Sequence, residues 1–177
     1  MNAIGKIMEC AAEEIRFAFG TCSLGCVLVA VGGQGVAAIL IGDGPDALRR
    51  ELAGAFPLAE RVLDQGGLEP VVDRVSSYLE TPKGELGLPL ALRGTAVERA
   101  VWQALRTVPY GRTISYGEIA RSLPLPATAQ EVGAACAANL LAVVIPCHRV
   151  VKADGSISGY RWGVRRKRRL IAREAAG

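Results

Sequence analysis

The stretch Ile145-Pro146-Cys147-His148-Arg149-Val150-Val151 sets a thiol beside the one imidazole of a 177-residue chain. The thiolate is the reactive form of cysteine, so a nucleophilic Cys needs a neighbour that takes its proton or stabilises its charge. Histidine titrates near neutral pH and is the usual agent. Adjacent residues of an extended chain point to opposite sides, so Cys147 and His148 act together only through a turn or a bridging water. Pro146 fixes its own φ and restricts Ile145, which favours a turn. The competing reading is a buried structural Cys beside a surface His. Metal ligation is the other use of these residue types. Cys10, Cys22, Cys26, Cys136 and Cys147 show no paired C-x-x-C spacing, and a single His is available, so structural zinc is not expected. Gly32-Gly33-Gln34-Gly35 has neither the Lys-Ser/Thr of a P-loop nor the Rossmann spacing, so no phosphate cradle is expected. No metal or organic cofactor is implied.

The elements that must position this thiol follow from periodicity and punctuation. Apolar runs at 22–31 and 36–42, joined by the Gly-rich turn, read as a β-hairpin. Residues 45–54 and 69–80 have helical spacing. The Gly- and Pro-rich stretch Thr81–Pro89 reads as a boundary, dividing the chain into an N-terminal unit, 1–88, and a C-terminal unit, 89–177. Val97, Val101, Leu105 and Val108 recur at helical spacing, and Pro109-Tyr110-Gly111 ends that helix. Ser115 with Glu118, and Thr128 with Glu131, are capping-box pairs opening two short helices, 115–122 and 128–138. Their close succession has the outline of a helix-turn-helix. Leu141–Ile145 reads as a buried extended segment, Asp154-Gly155 as a turn, and Gly163–Ala175 as a basic terminal helix. The fold class expected is α/β: a small N-terminal antiparallel sheet with helices, then a mostly helical unit.

Composition excludes several classes. Half the residues are apolar and 21% are charged, too hydrophobic for intrinsic disorder. No aliphatic run is longer than that from Val36 to Ile41, far short of the roughly 20 residues a bilayer span needs. Glu9, Glu13 and Glu14 follow the start without an apolar segment, which does not read as a secretory leader. An odd number of dispersed cysteines argues for free thiols in a reducing, cytoplasmic setting. Residues 1–88 carry 7 basic and 12 acidic side chains, a balance of −5, and residues 89–177 carry 14 and 5, a balance of +9. Arg161, Arg165, Arg166, Lys167, Arg168, Arg169 and Arg173 supply much of that excess. Such segregation suggests either an anionic partner, nucleic acid foremost, or a solvated terminal helix.

The heptad at 145–151, with Ser158-Gly159-Tyr160-Arg161-Trp162-Gly163 after it, resembles the active-site signature of the O6-alkylguanine-DNA alkyltransferases, and among them the methyltransferase part of the bacterial Ada proteins. The resemblance takes in Arg93-Gly94-Thr95, Val101–Thr107 and Ala135-Cys136-Ala137-Ala138-Asn139, and reaches back to about residue 20. It implies that Cys147 accepts the alkyl group from O6 of guanine in double-stranded DNA, once per molecule, and that the protein works as a monomer. His148 would deprotonate Cys147 through a water, with Glu174 orienting the imidazole. Asn139 would tie the helix-turn-helix to the active-site segment. Tyr116 would help to rotate the nucleotide out of the duplex, a step required because a stacked base cannot present O6 to a buried thiol. The backbone at Val150, with Tyr160 and Arg161, would line the guanine pocket, and Thr128, Gln130, Ala135 and Arg149 would meet the DNA. Gln130 is a departure: the family carries there an Arg that fills the gap left by the flipped base. Glu131 adds a carboxylate where phosphates should approach. These two residues leave open a thiol acting on a small molecule, and a third reading is a protein that binds alkylated DNA without repairing it.

Overall fold

A computed structural model describes residues 12–177; Glu9 and Cys10 lie outside them. Strand β1 (Glu14–Cys22) precedes the expected hairpin, β2 (Gly25–Gly32) and β3 (Gly35–Gly42). Helix α1 (Pro45–Ala55), strand β4 (Glu60–Leu63) and helix α2 (Glu69–Glu80) complete the first half. The sheet order is β3-β2-β1-β4. It is not purely antiparallel as expected, because β4 pairs parallel to β1, Glu14 opposite Glu60 and Phe17 opposite Leu63. β2 is buried from Val27 to Ala30 and β3 from Val36 to Ile41, so both strands read as continuous apolar runs. β1 alternates less cleanly. Its Phe17 and Phe19 lie under the Arg49 guanidinium, at 5.4 and 5.3 Å from the ring centroids.

The second half contains α3 (Ala96–Arg106), β5 (Ile114–Ser115), α4 (Tyr116–Ser122), α5 (Ala129–Ala138), a 3-10 turn (Cys147–Arg149), β6 (Val150–Val151) and α6 (Val164–Ala176). Three of its helices start the same way. Thr95, Ser115 and Thr128 each accept the backbone N–H of a Glu three residues on, and that Glu reaches back to the cap N–H. α3 buries Val101, Trp102 and Leu105, and the Trp102 indole donates to the Ala135 carbonyl at 2.9 Å, locking α3 against α5.

The two halves share one core. The outer edge of β3 is covered by the second half: Val36 N–H donates to Pro89 O and Ala91 N–H to Val36 O, both at 2.9 Å. Farther along, Ile39 N–H donates to Leu140 O and Ala142 N–H to Ile39 O. This pairing removes an exposed edge and lays the segment leading to Cys147 along the sheet. Gly35 permits it, with φ at +120° and a missing Cβ that would strike the Pro89 carbonyl.

The charge segregation resolves inside the molecule. Arg93 pairs with Glu13, Arg161 with Glu51, Arg166 with Asp43 and Arg173 with Glu80. Arg166 and Arg169 also donate to the carbonyls of Leu24 and Ser23. The acidic half and the basic half are thus clasped to each other, and much of the basic excess is an internal fastening, not a stripe offered to a polyanion. Among the described residues no helix is long and apolar enough to cross a membrane.

Candidate active site

The chain between α5 and β6 is bent twice before it reaches the thiol. Val144 N–H donates to Ala142 O across Val143, whose φ is 67°. Val143 is the one non-glycine residue at positive φ among the described residues. A β-branched residue there is strained, and such a γ-turn is rare. Cys147 N–H then donates to Ile145 O across Pro146, at φ −81° and ψ 59°, a second and unstrained γ-turn. Asn139 holds the bent segment. It is 1% exposed, its Oδ1 accepts Leu141 N–H at 2.8 Å, and its Nδ2 donates to the carbonyls of Leu141 and Ile145. The same Nδ2 lies 3.4 Å from Cys147 Sγ. One side chain therefore fixes both the backbone and the sulfur.

Cys147 is buried in the 3-10 turn, and the turn directs His148 inward, away from solvent. His148 Nε2 lies 2.7 Å from Glu174 Oε1. Arg149 grips the same carboxylate, Nε to Oε2 at 2.9 Å and Nη2 to Oε1 at 3.0 Å, and donates to Val108 O at 2.7 Å. Burial by itself would raise the Glu174 carboxyl, but the hydrogen bonds from His148 and Arg149 outweigh it and hold it at about 2. Burial pushes the His148 imidazole below its ordinary value, against the pull of Glu174. The imidazole is therefore neutral at pH 7. A carboxylate can only accept, so Nε2 carries the hydrogen and Nδ1 holds the free lone pair. Nδ1 is buried with no protein partner, which leaves it available as a base.

Lys167 is a residue that sequence reasoning assigned only to a basic run. It is 0% exposed, and its ammonium donates to Ser158 Oγ at 3.1 Å and Gly159 O at 3.3 Å. It has no carboxylate partner among the described residues and stands in the first turn of α6, where the helix dipole disfavours a cation. Burial lowers its pKa, while Cys136 and Cys147 pull it up. Burial likewise pushes the Cys147 thiol up, and the interaction with Cys136 adds to that; Asn139 and Lys167 act in the opposite direction. The available signal was a lone Lys inside an Arg-rich run, which does not reveal that this one position faces inward.

Tyr116, Gly133, Cys136, Ala137, Gly159, Tyr160 and Arg161 surround Cys147 in a cavity of about 330 Å³. Tyr116 hydroxyl bonds Ser158 Oγ. The Tyr160 hydroxyl is buried without a partner, and its ring meets Trp162 edge-on at 5.4 Å. Clefts of about 740 and 610 Å³ exist elsewhere, one along α6 and one lined by Tyr78, Arg106 and Tyr110, and neither is lined by a cysteine. No three His, Cys, Asp or Glu side chains among the described residues converge as metal ligands.

A family model for the DNA binding domain of 6-O-methylguanine DNA methyltransferase matches residues 96–176. The bifunctional transcriptional activator/DNA repair enzyme Ada of Escherichia coli is 47% identical over 161 residues, 91% of this chain and 46% of that protein. The methylated-DNA–protein-cysteine methyltransferase of Mycobacterium bovis is 43% identical over 111 residues, 63% of this chain and 67% of that protein. The crystal structure of Mycobacterium tuberculosis OGT in complex with DNA superposes with a TM-score of 0.74 at 32% identity, covering 91% of this chain and 93% of that one. The chain belongs to the O6-methylguanine-DNA methyltransferase family. It spans about half the length of the Ada proteins it matches.

Within that family frame, several expected site residues take different places. Arg149 does not face outward to DNA; it is 6% exposed and bound to Glu174. Ala135 is buried against α3. Val150, whose backbone was expected at the pocket, is fully buried in β6 opposite Ile114. Thr128 and Gln130 are exposed at the start of α5. The Glu131 carboxylate, expected to confront phosphates, is folded back onto Thr128 N and Oγ1. Tyr160 and Arg161 do line the cavity, Arg161 donating to Ala137 O at 2.7 Å and to Glu51.

Proposed function

We propose that this chain repairs double-stranded DNA by moving the alkyl group of O6-alkylguanine irreversibly onto Cys147. The observation that carries this reading is a buried thiol at the wall of a small cavity, with Asn139 and Lys167 acting on it and the His148–Glu174 pair on the adjoining residue. His148 Nδ1 takes the Cys147 proton through a water. The sulfur attacks the alkyl carbon in line, the carbon–O6 bond breaks, and its electron pair stays with guanine, which regains a proton. The thioether has no route back, so the reaction is stoichiometric. Glu174 holds the imidazole tautomer and stabilises the imidazolium that forms. Lys167 and Asn139 stabilise the thiolate before attack.

Tyr116, Tyr160 and Arg161 receive the extrahelical base. α4 and α5 act as the helix-turn-helix, with Thr128 and Gln130 toward the duplex at the positive end of α5. α5 itself carries no Lys or Arg, so its contribution to DNA affinity is modest. A cytoplasmic monomer and a division of labour between residues 1–88 and 89–177 belong to the same reading. The small-molecule alternative rested on Gln130 and Glu131, and Glu131 is engaged at its own helix cap. A duplex carrying a radiolabelled O6-methyl group tests the proposal. Label should pass to the protein once per molecule, and Cys147→Ala should receive none; label retained on the duplex would overturn it.

A further inference from the structure

Cys136 shares the cavity with Cys147, and each thiol bears on the ionisation of the other, Cys136 shifted downward and Cys147 upward. The alkyl transfer described above does not use Cys136. The two sulfurs differ in access: Cys136 is half-buried near the end of α5, whereas Cys147 is 3% exposed. Both feel the Lys167 ammonium, which favours one thiolate within the pair. A partly exposed thiol that shares a cavity with a second thiol has the arrangement of an oxidisable dithiol with its own resolving cysteine.

We propose that Cys136 and Cys147 form a reversible oxidation site, in which a hydroperoxide joins them as a disulfide across the cavity. The Cys136 thiolate attacks the distal peroxide oxygen, the O–O bond breaks, and a sulfenic acid and an alcohol, or water, are produced. The Cys147 sulfur then attacks the sulfenic sulfur. The S–S bond forms, and hydroxide leaves and takes the thiol proton as water. Two sulfurs together give up two electrons and the peroxide accepts them. A dithiol reductant reverses the step by exchange, becoming a disulfide itself. While the bond stands the nucleophile is absent, and Cys147 is kept from deeper, irreversible oxidation. The oxidation rests only on the two thiols; its consequence for alkyl transfer rests on the proposed function.

The test treats the full chain with hydrogen peroxide, blocks free thiols with iodoacetamide and maps peptides without reduction. The expected product is a linked pair of peptides containing Cys136 and Cys147, a loss of two hydrogens from the intact mass, and full return to starting mass with dithiothreitol. Cys22 and Cys26, which sit together at the β1–β2 turn, are the comparison inside the same chain. In Cys136→Ser, checked for folding by its melting curve, the same dose should leave Cys147 a free thiol, which iodoacetamide labels once the chain is unfolded. Absence of the 136–147 link in the wild-type chain, or equal oxidation of Cys147 in Cys136→Ser, overturns the proposal. The mass readout is independent of alkyl transfer, so a chain that forms the link but transfers no alkyl group contradicts only the proposed function.

Discussion

Glu174 and His148, 26 residues apart, meet at 2.7 Å, both buried. The contact is built by two turns of chain that have little else in common: α6 delivers the carboxylate, and the 3-10 turn delivers the imidazole. Arg149 holds the carboxylate from the other side. Removing the charge in Glu174→Gln leaves Arg149 buried without its counter-ion, and the expected loss is about 3 kcal/mol of stability. The rate of transfer should fall by about 10–100-fold, the scale seen when a buried orienting partner of a functional His is removed. Urea melts and single-turnover rates measure the two effects; unchanged values in both would contradict the assigned role.

The pH dependence of stability has a definite sign. Glu174 in the folded chain sits at about 2, below its ordinary 4.5, so its stabilising charge is fully present above 4.5 and is lost as pH falls toward 2. His148 is buried neutral and sits below its ordinary 6.5, so the unfolded chain binds the extra proton first and stability also falls as pH drops below 6.5. Urea midpoints should therefore decline below 6.5 and more steeply below 4.5. Glu174→Gln should flatten the lower limb, and an equally steep limb in that variant would count against the ion pair.

Lys167 is the second group to test. Lys167→Met keeps the volume and removes the charge beside Cys147. The thiol should then ionise at higher pH, with iodoacetamide labelling at pH 7 slowed about tenfold for each unit of upward shift. A structural role alone would lower the melting temperature without moving the pH midpoint of labelling, so the midpoint separates the two.

Much of this was legible in the sequence. The hairpin, α1, α2 and the capping boxes of α4 and α5 follow from apolar spacing and from Ser or Thr three residues before Glu. Cys147 and His148 stand out because the chain has one His. β1 and β4 were not expected, since β1 is interrupted by Arg16 and Gly20 and β4 is four residues long; with β4 went the parallel pairing. The burial of Arg149, Lys167 and Glu174 could not be read from residue type, because charged side chains are seldom buried and only the tertiary fold brings their partners. The charge segregation was visible, but its main use, fastening the two halves, needed the ion pairs themselves.

Asn139→Ala removes the clamp on the strained segment at Val143. The Leu141 N–H loses its partner and the carbonyls of Leu141 and Ile145 each lose one of two, and the expected destabilisation is about 2 kcal/mol. Amide hydrogen exchange should rise between Leu141 and Cys147, and an unchanged exchange pattern would refute the clamp.

Gln130→Arg should tighten binding to duplex DNA about tenfold and steepen the salt dependence by about one unit of slope, as one added phosphate or stack contact would. Fluorescence anisotropy across salt concentrations reads both. No gain would show that the start of α5 does not face the duplex.

The central claim is that Cys147 is the alkyl acceptor for O6-alkylguanine in DNA. Intact mass followed by peptide mapping, after incubation with a duplex carrying one O6-methylguanine, tests it directly. The account predicts a gain of one CH₂ per molecule, located on Cys147, with guanine restored in the duplex. An unmodified Cys147 beside an unchanged lesion, in protein whose thiol still reacts with iodoacetamide, would contradict it.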